Sequence, residues 1–348
     1  MNISYTPLYV AMITTFIAIS VLRPFAISIN LTDSPNNRKK HEGIVPLIGG
    51  LGMFFGFFIS VLTTNIDLNH IKYFLLASFI VVIIGALDDH RNISVWYRFF
   101  FQVVAAVIVA AVAGVDIESL GNLFSSKTEI LLSSWSVFFT IIAIIVAMNA
   151  VNMSDGIHGL AGLTSFVTLL SLAYFAYIGG NQDSLNIALL MCAVIPPFLF
   201  YNLSIGGSEE KRIFMGDAGS MFLGLAIVWL LIDLSQGEYR SFSPIIAVWL
   251  FAVPLFDSVS TVIRRIKIGK SPLQPDLNHL HHILIRTGLS TKFALITILL
   301  FSFFMALIGI LGELNGISEW KMFIGFMVIF VIYFIFTNLL ISKNTNNL

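Results

Sequence analysis

Five short polar clusters interrupt an otherwise apolar chain of 348 residues. The stretch "LDDH" sets Asp88 beside Asp89. A solvated helix end accounts for one aspartate. Two adjacent carboxylates repel, which favours a nearby cation or a proton-accepting role for one of them. "NAVNMSDGIHG" carries Asn149, Asn152, Asp155 and His158. Three oxygen-bearing side chains so close suit a hard cation, since Mg²⁺ takes one or two protein oxygens and completes its shell with substrate phosphate and water; a capped turn is the plain alternative. "FMGDAGS" places Asp217 between Gly216 and Gly219, which let backbone approach a ligand, although Asp217 and Ser220 also read as helix-cap chemistry. Phe214 before it is either an interfacial aromatic or a stacking platform. "NHLHH" gives His279, His281 and His282. That spacing is poor for one tetrahedral zinc. Arg264, Arg265, Lys267 and Arg286 nearby favour phosphate or sugar binding. "RKKHEG" supplies Lys40 in a basic strip that reads as an anchor on anionic lipid or a phosphate contact. Pro46, Gly49 and Gly50 follow, and predict a loosened helix start whose amides could face an anion.

The elements that must position these groups are membrane helices. The chain is 57% hydrophobic and 11% charged, against about 25% charged in soluble domains. Crossing the hydrocarbon core takes about 20 apolar residues per helix. Eleven such runs are legible, at about 7–28, 46–63, 71–87, 98–114, 135–151, 160–178, 185–203, 219–235, 243–263, 293–312 and 320–341. They are unbroken rather than alternating, so the expected class is all-α and polytopic, not a barrel. Pro196 and Pro197 predict a kink in the seventh. The first run lacks a preceding positive charge and reads as an uncleaved span. Cys192, the single cysteine, excludes an intrachain disulfide. Zero net charge leaves no nucleic-acid footprint.

Lys and Arg total 19. With eleven spans, 15 fall after odd-numbered spans or at the C-terminus and 4 on the other side, which sum to the same 19. The positive-inside bias then puts the N-terminus in the periplasm and the C-terminus in the cytoplasm. Cytoplasmic loops are expected at about 29–45, 88–97, 152–159, 204–218 and 264–292, in a single multi-span domain over 1–348. All five clusters lie on that side. Carboxylates for a metal and cations for phosphates, gathered at a membrane surface, suit metal-assisted transfer of a phosphoryl-type group. A secondary transporter is the rival, but its site would lie near the bilayer midplane.

"RKKHEGIVPLIGG", "GALDDHRNIS", "NAVNMSDGIHGL", "IFMGDAGS", "RRIKIGKSP" and "HLHH" resemble, in order and spacing, the bacterial undecaprenyl-phosphate N-acetylglucosamine-1-phosphate transferases. These belong to the polyprenyl-phosphate N-acetylhexosamine-1-phosphate transferase superfamily. The similarity runs over about residues 20–292. It implies an inner-membrane enzyme that joins UDP-N-acetylglucosamine and undecaprenyl phosphate with Mg²⁺ or Mn²⁺, releasing UMP, as the first lipid-linked step of O-antigen or a similar surface polysaccharide. Another UDP-N-acetylhexosamine donor is the variant reading, and a homodimer is compatible with it. By position, the resemblance makes Asp217 a metal ligand assisted by Asn152. It assigns Asp88, with Asp89 beside it, to the attacking lipid phosphate, and Asp155 to the catalytic set. It makes Arg98 a phosphate contact and Phe214 a platform for uracil. Arg265, His279, His281 and His282 then face sugar and diphosphate, and Lys40 and Asn149 complete the binding set. Two positions depart from the family pattern: His158 stands where relatives carry a second acid, and Asn92 replaces an acid after the aspartate pair.

Overall fold

The computed structural model describes residues 4–33, 43–125, 127–205, 207, 209–238, 240–271 and 278–345. Lys40 and most of the basic strip around it lie outside them. The long helices are α1 (Tyr5–Ser28), α3 (Leu68–Arg91), α5 (Ser136–Ser154), α6 (Leu160–Gly179), α7 (Gln182–Asn202), α8 (Gly216–Ser235), α12 (Thr291–Leu314) and α13 (Glu319–Thr345). Shorter ones are α2 (Gly49–Val61), α4 (Val95–Val107, continued by a π-turn over Ile108–Val112), α9 (Pro244–Leu250), α10 (Ala252–Lys267) and α11 (Leu280–Arg286). Strands are confined, among the described residues, to a two-residue antiparallel pair, Thr32–Asp33 with Val45–Pro46. The chain is therefore a nearly all-α, multi-pass membrane protein.

Nine described helices, the eight long ones and α4 with its π-turn, are long and apolar enough to cross a bilayer, or ten if the bent pair α9–α10 counts as one. The second expected span, α2, has only 13 residues, short of the ~20 a full crossing needs. The ninth is broken: α9 and α10 meet at 82° around Phe251. The seventh continues as one helix through Pro196 and Pro197. A proline costs a helix the bond to the fourth carbonyl back, and packed neighbours can carry that loss.

Helix α8 is the hub. Its apolar window is 94% buried, and it packs chiefly on α3 and α5. Small residues allow this. A Cβ on Gly50 of α2 would lie 2.1 Å from the Gly219 backbone nitrogen, and one on Gly85 of α3 would lie 2.4 Å from Ala218 Cα. Without a hydrophobic drive between helices in lipid, close backbone contact of this kind supplies the attraction. Its consequence is positional. The first turn of α8, with Asp217, is wedged between the ends of α2, α3 and α5.

Candidate active site

Helix α3 ends in Asp88, Asp89, His90 and Arg91, because carboxylates are far cheaper at a helix end than at mid-membrane. Its two acids do different things. Asp89 accepts the backbone N–H of Asp217 at 3.0 Å and that of Ala218 at 3.4 Å. It caps the first turn of α8 from another helix, satisfying amides that a helix N-terminus leaves orphaned. Gly216 makes room for it: φ is +72°, and a Cβ there would sit 2.4 Å from Asp89 Oδ2. Asp88 instead turns to a cation. Arg98 Nη1, from α4, donates to Asp88 Oδ2 at 2.9 Å and to Asp217 Oδ2 at 2.6 Å. Asn152 Nδ2 donates to the other oxygen of Asp217 at 2.8 Å and to Ser220 Oγ at 2.9 Å. One guanidinium and one amide thus tie four helices, α3, α4, α5 and α8, into a single polar knot.

Asp155 follows α5 by one residue. It keeps partial contact with solvent, yet burial, with Asp217 adding repulsion, pushes its carboxyl up to about 7. Asn149, one turn before Asn152, donates to Gln102 Oε1 of α4 at 3.0 Å and to Ile145 O at 2.8 Å. Its amide joins two helices.

The turn after Asp155 meets the segment leading into α8 through Asn202, which is 3% exposed. Asn202 Oδ1 accepts Gly159 N at 2.7 Å and Nδ2 donates to Ile213 O at 2.9 Å. This brings the His158 ring over Phe214, with centroids 5.4 Å apart and planes at 22°. The expected anion-facing amides are not available. Gly49 N donates to Phe214 O and Gly50 N to Met215 O, both at 2.9 Å, so the start of α2 is pinned to the Phe214 segment. Backbone amides that already pair across two segments cannot also cradle a ligand.

The histidine cluster is a separate construction. His279 is 6% exposed and His281 2%. Arg265 is buried and His282 half-buried. His279 Nδ1 lies 2.9 Å from Asp257 Oδ2 on α10. The two regions touch at Gly156, where a Cβ would fall 2.0 Å from His281 Nε2. Burial, then repulsion by His282, pushes His281 down to about 3, so it is neutral at physiological pH.

Hence the structure joins Asp88, Asp89, Arg98, Asn152 and Asp217 directly, sets Asp155 beside them, pairs His158 with Phe214, and keeps His279, His281 and His282 on an adjoining wall, with Arg265 buried on α10. Gln102, Asn202 and Asp257 support the site and lie outside the motifs, and Ser220, read only as cap chemistry, accepts from Asn152. Asp257 had a signal: it is a lone carboxylate inside an apolar run, which marks function or pairing. Among the described residues no three His, Cys, Asp or Glu side chains form a self-sufficient metal site. The donors on offer are hard oxygens, and their number suits a cation that shares its shell with phosphate.

Residues 71–235 match the model of glycosyl transferase family 4. An undecaprenyl-phosphate alpha-N-acetylglucosaminyl 1-phosphate transferase of Yersinia pestis is 36% identical over 314 residues, 90% of this chain and 86% of that one. The protein of the same name from Haemophilus influenzae is 36% identical over 326 residues, 94% and 92% of the two chains. The one from Escherichia coli K12 is 35% identical over 312 residues, 89% and 84%.

Proposed function

The chain belongs to glycosyl transferase family 4, with the undecaprenyl-phosphate N-acetylglucosaminyl 1-phosphate transferases, and we propose that it transfers N-acetylglucosamine 1-phosphate from UDP-N-acetylglucosamine to undecaprenyl phosphate. The observation that carries this reading is the knot at the helix ends, where Arg98 bridges Asp88 and Asp217 and Asn152 holds Asp217. Opposite charges at balanced distances are what a site needs if it must accept both a cation and phosphate oxygens.

In this reading Asp217 and the amide oxygen of Asn152 hold Mg²⁺, or Mn²⁺ in its place. When bound, the cation offsets the diphosphate charge. Arg98 and Asp88 position the lipid phosphate. That phosphate is largely dianionic near neutral pH, its second pKa being about 6, so Asp88 has little proton to remove and acts mainly by position. An oxygen of the lipid phosphate forms a bond to the β-phosphorus while the bond from that phosphorus to the bridging oxygen breaks, and UMP leaves with the electron pair. Asp89 serves by fixing the first turn of α8, and its commitment to two amides argues against a phospho-Asp89 intermediate. His158 and Phe214 form an aromatic wall for uracil, where an imidazole can donate to a carbonyl in either charge state. Arg265 and the histidines face sugar and diphosphate, and Lys40 adds a phosphate contact.

With the nine helices long enough to cross and the bent α9–α10 pair, α2 makes an eleventh crossing if the residues flanking it complete what its 13 residues leave short. An odd number agrees with the charge bias, the N-terminus in the periplasm, the C-terminus in the cytoplasm and the site on the cytoplasmic face of the bacterial inner membrane. Nucleotide sugars are cytosolic, so the substrates meet there. The product would start O-antigen or a related surface polysaccharide.

The test is UMP release and lipid-linked product from purified protein with UDP-N-acetylglucosamine, undecaprenyl phosphate and Mg²⁺. Each omission should abolish turnover. UDP-N-acetylgalactosamine and a muramoyl-pentapeptide donor should be poorer; a preference for either overturns the donor assignment. An acid-labile phospho-enzyme trapped without lipid acceptor would refute direct attack.

A further inference from the structure

Asp257 lies on α10 and is 4% exposed, a burial at which a carboxylate is costly unless it is partnered. Three donors converge on it. His279 Nδ1 is 2.9 Å from Oδ2, Leu280 N donates to Oδ1 at 2.7 Å, and Tyr333 Oη donates to Oδ1 at 3.3 Å. They come from two other elements: the N-terminal edge of α11, and α13. A second bond follows two turns along α10 and one turn along α13, where Arg264 Nη1 donates to Thr337 Oγ1 at 3.2 Å. Arg264 also donates to Thr261 Oγ1 and to the carbonyl of Asn278, next to His279. Helix α13 carries none of the polar motifs, yet it braces the two α10 side chains, Asp257 and Arg264, that hold the histidine loop.

A carboxylate is an acceptor only, so His279 must carry its proton on Nδ1 to make this bond. Its Nε2 is thereby assigned. In the neutral ring it is a lone pair, and in the doubly protonated ring it is a donor. The His279 ring runs parallel to that of His281, with centroids 6.0 Å apart, and His281 Nε2 meets the turn at Gly156. The orientation of His279 therefore carries through one ring to the loop beside Asp155.

We propose that Asp257, braced by Tyr333 of α13, is a positioning residue that fixes the ring and tautomer of His279 for contact with the anionic nucleotide-sugar diphosphate. This rests on the reaction proposed above. In Asp257→Asn the amide keeps an oxygen for Leu280 but can offer His279 a donor, which reverses the tautomer. The variant lowers kcat/KM about 10- to 100-fold, mostly through KM for UDP-N-acetylglucosamine, by analogy with other carboxylate–histidine pairs. Tyr333→Phe loses one bond to Asp257 and gives a smaller loss of the same kind, about two- to fivefold.

A double-mutant cycle in the full-length protein decides the matter. In a His279→Ala background Asp257→Asn and Tyr333→Phe each change kcat/KM by less than about twofold, because coupled groups do not add. Equal losses in both backgrounds overturn the proposal, as does a near-normal Asp257→Asn. If Asp257→Asn does not fold, the Tyr333→Phe cycle stands alone. Calorimetric titration with UDP repeats the comparison without turnover: Asp257→Asn weakens UDP in the parent background and not in His279→Ala. An inactive parent chain would refute the reaction, whereas equal weakening of UDP in both backgrounds would refute the role of Asp257.

Discussion

The carboxylate knot and the histidine wall are built on opposite plans. In the first, charged groups stand at the ends of long helices, partly open to solvent, and bond one another directly through Arg98 and Asn152. In the second, His279 and His281 are buried, and a carboxylate from deep in a broken helix holds the first of them. The knot gets its geometry from helices locked by small residues at α8. The wall gets its geometry from a hydrogen-bonded brace, since α11 is a seven-residue helix that could not hold a position alone. The difference teaches that clusters equally polar in sequence can be precise for different reasons, and should fail differently.

Mutation can sharpen that contrast. The largest effect belongs to the knot. Asp217→Asn should reduce Mg²⁺-dependent turnover about 10³-fold with insertion and melting temperature nearly unchanged; activity near that of the parent would remove Asp217 from the metal. Next, the paired acids should separate. Asp88→Asn should cost about 10²-fold in kcat with little change in stability. Asp89→Asn, which keeps an acceptor for the α8 amides, should cost about tenfold, and Asp89→Ala should also lose about 1 kcal/mol of stability from the lost cap. Identical profiles for Asp88 and Asp89 would erase the distinction between them.

Gly156 probes the seam between the two regions. Gly156→Ala forces a methyl against His281, and overpacking of this sort costs about 1–3 kcal/mol. Thermal melts should show the loss, and Gly156→Ala/His281→Ala should recover most of it. A smaller signal comes from Asp155. Its folded value near 7 exceeds the ordinary 3.8, so the fold prefers the protonated acid. Between about pH 4 and 7 the unfolded chain releases a proton that the folded chain retains, and stability falls as pH rises through that window. In chelator, the melting temperature should therefore decline from pH 5 to pH 8, less so in Asp155→Asn. The smallest effect is expected at His158. A ring contact worth about 0.5–1.5 kcal/mol should appear in His158→Ala as a three- to tenfold rise in KM for the nucleotide sugar. If KM stays put in both His158→Ala and His158→Asp, the ring is a bystander.

Much of this was legible in the chain. A charge content of 11% and long apolar runs compel a helical membrane protein, because lipid offers no partner to an unpaired backbone amide. The same economy pushes carboxylates to helix ends, so the placement of Asp88, Asp155 and Asp217 at the margins of apolar runs already pointed to where they gather. Local pattern could not divide the work between Asp88 and Asp89. They are neighbours in sequence, and only the approach of α8 gives one two amides and the other an arginine. Nor could it reveal the break at Phe251, which leaves hydropathy unchanged, or the pinning of the Gly49 and Gly50 amides. Composition determined the solvent, the class of fold and the end of the bundle where polarity gathers, since each follows from the cost of transferring groups into lipid. Partners separated by scores of residues, such as Arg98 with Asp217, His281 with Gly156 and Tyr333 with Asp257, were decided by tertiary packing alone, because no local periodicity encodes which helices meet.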